Sequence, residues 1–275
     1  MKIYRTTKGV VAEDADRLYF SATVSLDNLI ARDDLEEHLK ASIPQWPRAE
    51  GNALADLRAP IGSQEVWGAG VTYYRSRIAR MEESKEGGDF YDRVYEAERP
   101  ELFFKATPNR VVGPNQKVAI RGDSKWNVPE PELALVISPR AKIVGYTIAN
   151  DMSSRDIEGM NPLYLPQAKT YDGSCALGPA VLVTSDTMAD STEIKMEILR
   201  RGKETFSGAT TLAERKRTAG ELISYLFRHC SFPHGCVLMT GTGIVPEDTF
   251  TLEHGDEIRI SISGIGTLVN TVGQG

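Results

Sequence analysis

Cysteine is scarce in this chain: Cys175, Cys230 and Cys236 are the only three in 275 residues, without the short paired spacings of zinc or redox sites. Such an odd, scattered set reads as reduced, buried, inert thiols in a reducing compartment. Long apolar runs are missing as well. No stretch approaches the roughly 18 apolar residues that a membrane-spanning helix needs, so no membrane partner is expected. The opening MKIYRTTKGVVAEDADRLYF carries charges throughout and no apolar segment ahead of a small-residue cleavage site. A secretory signal is therefore not expected, and the cytoplasm is the default compartment. Basic surface is also lacking. Net charge is −6, and the densest basic run, ERKR at 214–217, contains its own acid. It reads as a solvated helix face, and nucleic acid is not an expected partner. Absent too are G-x-x-x-x-G-K-[ST], a G-x-G-x-x-G after a strand, H-E-x-x-H and G-x-S-x-G. Any chemistry must rest on another arrangement.

What is present is ordinary globular composition and enough length for a sizeable core. Residues 1–59 read as a small N-terminal strand-and-helix domain. MKIYRT, GVVAED and RLYFSAT are strand-like, and LDNLIARDDLEEHLKAS has near-helical spacing before a terminating Pro44. A Pro-, Gly- and small-residue-rich stretch then places the boundary near Pro60. Residues 60–275 read as the main domain, with EVWGAGVTYY, ELFFKAT, PELALVIS, KIVGYTIAND, GPAVLVTSD and TEIKMEILRRG among its strands. One clear helix is expected, over TLAERKRTAGELISYLFRH. Many closely spaced strands with so few helices predict an α+β, mostly-β domain rather than a doubly wound parallel sheet. The charged stretch 75–100, broken by Gly87 and Gly88, reads as a surface excursion or a lid.

In WNVPEPELALVIS, Glu130 and Glu132 stand two apart at the start of a strand, so the pleat points them the same way. The chain turns near Arg140 and returns as IVGYTIAND, which brings residues around 150 opposite residues around 130 and Asp151 back to the glutamates. Three carboxylates at one sheet end need a hard divalent cation or nearby Lys and Arg. All-oxygen ligands favour magnesium, with manganese or calcium as substitutes. A solvated strand edge is the bland alternative, and the returning Asp151 argues against it. Arg155, four residues on, suits a bound carboxylate, or else pairs with Asp156 or Glu158. Lys105 and Lys169 are cations among apolar neighbours, able either to move protons or simply to extend toward solvent.

GVTY, FFK, E-x-E, GYTIANDMSSRD, KTYDGSCALGP and MTGTG, in that order, resemble the fumarylacetoacetate hydrolase superfamily. The resemblance runs from about Glu65 to the C-terminus. It implies a mixed β-roll domain, magnesium or manganese on Glu130, Glu132 and Asp151, and a 2-oxo acid substrate. It further implies substrate contacts at Tyr73, Arg155, Lys169 and Thr242, and an assembly of two or four copies; Glu158, near the triad in sequence, is expected to join the substrate contacts. One departure matters. Hydrolase and decarboxylase members carry His and Glu in a dyad after G-x-N-Y, where this sequence has Ser76 and Ala79, with Thr72 in place of Asn. Neither a serine hydroxyl nor a methyl group replaces that base.

VWGxG, RPExFFKATPNR, PEPELAxV, NPLYLPQxK and ISxIGTL are similar to the superfamily's branch of 2-keto-3-deoxy-D-arabinonate dehydratases. That likeness implies loss of water from a 2-keto-3-deoxypentonate to give 2,5-dioxopentanoate in pentose catabolism. Glu101 and Lys169 then become the proton carriers, with Lys105 assisting. Two alternatives stay open: an acylpyruvate or diketo-acid hydrolase with Glu82 or Glu101 as base, and a non-catalytic 2-oxo acid-binding protein.

Overall fold

In the computed structural model, which describes residues 1–75 and 93–274, PELALVI (Pro131–Ile137) is buried at every position and IVGYTIAND (Ile143–Asp151) at every position but its first. Strands this apolar need cover on both faces. On one face Leu133, Leu135, Tyr146 and Ile148 meet Ile194, Met196, Ile258 and Ile260 of a second sheet. On the other, Val136 and Val144 pack on Leu26, Leu29, Ile30, Leu35 and Leu39 from two N-terminal helices.

Among the described residues the large sheet has eleven strands. Its main path runs Arg17–Ser21, Val10–Asp14, Lys2–Thr6, Cys175–Leu182, Ile143–Asp151, Pro131–Ile137, Cys236–Met239, Glu65–Gly70, Glu101–Ala106. Nearly all neighbours are antiparallel, the pair Cys236–Met239 with Glu65–Gly70 being parallel. The second sheet has five strands: Lys203–Thr211, Glu193–Arg200, Glu257–Ile262, Gly266–Gln274 and Lys117–Ile120. The mostly-β α+β expectation holds. The N-terminal strands join the large sheet where Lys2 and Ile3 pair with Leu182 and Val181. No helix of the described residues is long and apolar enough to cross a membrane.

Several local expectations change. The near-helical N-terminal stretch forms two helices, Leu26–Ile30 and Leu35–Ser42, and Pro44 enters a 3-10 turn rather than simply ending the second. Lys203–Thr211, not expected as a strand, pairs along Glu193–Arg200 through a turn in which Arg201 (φ 52°) and Gly202 (φ 76°) are both left-handed, the geometry that tight hairpins favour. Its side chains are mostly exposed, so it lacks the apolar alternation by which strands are recognised. The expected long helix shrinks to Ala219–Leu226, because the Thr218 hydroxyl accepts the Glu221 N–H and caps it there. Residues 214–217 thus precede the helix, and Arg217 is 7% exposed rather than on a solvated face. Cys175 and Cys236 are buried, and burial pushes the Cys175 thiol up to about 12. Cys230, expected to be buried, is exposed in the surface segment after that helix.

Leu135→Ala, in the middle of the doubly covered strand, is expected to cost about 2–5 kcal/mol through lost burial and an uncollapsed cavity. Urea unfolding checks this: the midpoint should fall with the slope unchanged.

Candidate metal and substrate site

The hairpin turns at Ser138–Lys142, where the Ser138 N–H donates to the Lys142 carbonyl at 2.8 Å. Its register sets Pro131 opposite Asn150 and Glu132 opposite Ala149. Glu130 and Asp151 exchange both backbone hydrogen bonds, at 3.2 and 2.9 Å. Asp151 therefore returns to the glutamates as the alternation requires. All three carboxylates share one side of the sheet end. They are 5%, 2% and 1% exposed, with one oxygen from each lying within 4.8 Å of the others.

Cations reach this cluster from separate elements. Lys169, the last residue of the helix Leu165–Lys169, donates to Glu130 Oε2 (2.8 Å), Asp151 Oδ2 (3.0 Å) and Ser153 Oγ (2.6 Å). Lys105, from the strand Glu101–Ala106, lies 2.5 Å from Asp151 Oδ1 and also donates to the carbonyls of Met152 and Lys169. Arg155 opens the helix Arg155–Met160 and sets Nη2 2.8 Å from Glu130 Oε1. Asp156 turns elsewhere, accepting from the Ser124 hydroxyl and the Lys125 N–H. Glu132 differs from its neighbours, since the one hydrogen bond to its carboxylate among the described residues is from the Gly241 N–H. Burial first, and then the charges of Asp151 and Glu130, push its carboxyl well above the usual range against the pull of Lys169 and Gly241. A buried carboxylate without a cationic partner, beside two others, suits a hard divalent cation with oxygen ligands.

These groups line a cavity of about 20 Å³, the space of a single ion or water. Arg155, Glu158, Lys169 and Thr242 share its wall with Glu130, Glu132, Asp151, Gly70 and Phe103. Glu101 is not on the wall itself but is paired with Gly70, which is, and a Cβ on Gly70 would fall 2.0 Å from Glu101 Oε2. A side chain at position 70 would displace that carboxylate from where it lies. Tyr73 is fully buried against Gly243, and burial raises its phenol. Lys105 lies behind Asp151 rather than on the wall. Ser76, Ala79, Glu82, Gly87 and Gly88 fall outside the described residues. Reasoning from motifs overlooked Phe103, Ser153 and Gly241. FFK, DMSSRD and MTGTG contained all three, but nothing in those strings sets apart a ring 5.7 Å from the Lys169 ammonium or a backbone amide as a partner.

Mixed β-sheets carrying a buried carboxylate triad beside Lys and Arg define a protein built to hold a cation and an oxygen-rich anion. The model of the fumarylacetoacetate (FAA) hydrolase C-terminal domain matches residues 66–273, and the chain belongs to that family. It is 46% identical over 271 residues to a probable 2-keto-3-deoxyxylonate dehydratase of Haloferax volcanii, covering 97% of this chain and 92% of the relative. It is 47% identical over 226 residues to a 2-dehydro-3-deoxy-D-arabinonate dehydratase of Saccharolobus solfataricus, covering 80% and 76%. Among solved structures, it matches a 2-keto-3-deoxy-D-arabinonate dehydratase complexed with magnesium and 2,5-dioxopentanoate at a TM-score of 0.87 and 35% identity, covering 100% of this chain and 99% of that one.

Because Glu132 must release its proton to take a cation, magnesium affinity should rise with pH, with proton uptake by the buffer. Calorimetric titration in mildly acidic and mildly alkaline buffers of different ionisation enthalpy measures both. Equal affinities without proton release would contradict the assignment.

Proposed function

We propose that this chain is a magnesium-dependent dehydratase converting a 2-keto-3-deoxypentonate, of the D-arabinonate type, to 2,5-dioxopentanoate in pentose catabolism. The observation that carries the reading is one cavity bounded by three buried carboxylates, Arg155 and Lys169, in a chain similar to dehydratases of such acids. The division into residues 1–59 and a catalytic part over 60–275 belongs to the same reading. So does a cytoplasmic assembly of two or four copies acting on a small molecule.

Glu130, Glu132 and Asp151 would hold magnesium, whose charge, when bound, acidifies the carbon beside a 2-keto group. Arg155 orients the substrate carboxylate, and Thr242, Glu158 and Tyr73 contact its oxygen-bearing carbons. Glu101 and Lys169 share the proton transfers. One takes the carbon-3 proton, and the other protonates the carbon-4 hydroxyl, which leaves as water while the carbon-3 to carbon-4 double bond forms. A final shift moves a proton from carbon 5 to carbon 3, giving the enol of carbons 4 and 5; carbon 4 then takes a proton from solvent as the enol hydroxyl loses its own, leaving the terminal aldehyde. Lys105 assists by fixing Asp151 and the Lys169 carbonyl.

Glu101→Gln keeps the shape of the side chain and removes its proton acceptor. It is expected to lower kcat for aldehyde formation about 10²–10⁴-fold and to leave calorimetric magnesium affinity unchanged. Retained turnover in this variant would remove Glu101 from the chemistry.

A further inference from the structure

Arg217 looks remote from the reaction. It is buried before the Ala219–Leu226 helix and is absent from the cavity wall. Its guanidinium donates to the carbonyls of Val94 (3.4 Å), Tyr95 (3.4 Å), Ala97 and Glu98 (3.2 Å), and to Glu221 Oε1 (2.5 Å). Residues 93–96 form a helical turn, and carbonyls at the end of such a turn have no acceptor role within it left to fill. A planar cation with five donors matches that fan of oxygens and the negative end of the turn.

The two residues before Arg217 bind the chain at residues 72–73. The Lys216 N–H donates to the Thr72 carbonyl at 2.9 Å, and Arg215 forms a bridge with Tyr73. The Lys216 ammonium reaches across to the Tyr95 carbonyl (2.5 Å), to Glu96 (3.2 Å) and over the Tyr95 ring (4.0 Å). Three consecutive residues thus tie segment 72–73 to segment 94–98. One tied end carries Tyr73 against Gly243. The other runs through buried Pro100 into Glu101, whose carboxylate lies over Gly70.

We propose that Arg217 is a positioning residue, whose grip on the 94–98 carbonyls sets the height of Glu101 above the cavity. This rests on the dehydratase reading above, with Glu101 as a proton carrier. Arg217 touches neither the carboxylate triad nor the cavity wall, so its effect belongs to the placement of Glu101 and not to cation binding.

The test compares full-length Arg217→Ala and Arg217→Lys with the unmodified chain. Arg217→Ala is expected to lower kcat about tenfold to a hundredfold, the scale of a misplaced catalytic group. The KM for the sugar acid and the calorimetric magnesium affinity should not change, and tryptic cleavage at Arg93, which precedes Val94, should accelerate. Arg217→Lys keeps the charge without the fork, and should restore part of the kcat and part of the protection. Unchanged kcat in Arg217→Ala, or a fall in kcat matched by loss of magnesium affinity, overturns the proposal. Should the unmodified protein form no aldehyde, the dehydratase reading itself falls. Tryptic protection still decides the clamp, since cleavage unaltered by Arg217→Ala rejects it.

Discussion

Three carboxylates are buried at one end of a sheet with oxygens within 4.8 Å of one another, and the site is arranged around their mutual repulsion. Two like charges about 4 Å apart repel by roughly 4 kcal/mol at the effective permittivity of a protein, and burial adds a desolvation cost for each. The chain answers with Lys105 from a strand, Arg155 and Lys169 from two short helices, and the Gly241 amide from the turn after Cys236–Met239. These balance Glu130 and Asp151 closely and leave Glu132 the least compensated. On the proposed reading, a divalent cation held there would complete the neutralisation and leave positive charge facing an anionic substrate. Structural compensation and chemical readiness are therefore the same arrangement of groups.

The architecture keeps that end of the sheet rigid. The strands carrying the triad are covered by the second sheet on one face and by N-terminal helices on the other, so the carboxylates project from closely packed backbone. Short helices suffice because one aims only Lys169 inward and the other only Arg155 and, a turn later, Glu158. Glu101 is held differently, at the last pair of an outer strand. Its placement draws on the Arg215–Arg217 segment, which joins parts of the chain more than a hundred residues away in sequence.

Much of this was legible in the sequence where a rule is local and periodic. Alternation placed Glu130 and Glu132 together, and the spacing of the hairpin predicted the return of Asp151. Long-range and backbone-mediated features were not accessible in that way. Gly241 acts through an amide that every residue possesses, and only its left-handed φ of 88° marks the turn. The run at 214–217 looked like a solvated helix face because charge and spacing were weighed without the Thr218 cap, which starts the helix later and turns Arg217 inward. Lys203–Thr211 gave no apolar signal, since an edge strand packed on one side carries mostly exposed residues.

The central claim is that this site removes water from a keto sugar acid instead of adding water across a carbon–carbon bond. It is tested most directly with chelator-stripped protein, with and without restored magnesium, given a 2-keto-3-deoxypentonate and an acylpyruvate side by side. Aldehyde and pyruvate are followed together. The account predicts magnesium-dependent aldehyde from the sugar acid and no pyruvate. Pyruvate from the acylpyruvate with no aldehyde from the sugar acid would contradict it, and would identify a hydrolase whose water-activating base lies elsewhere.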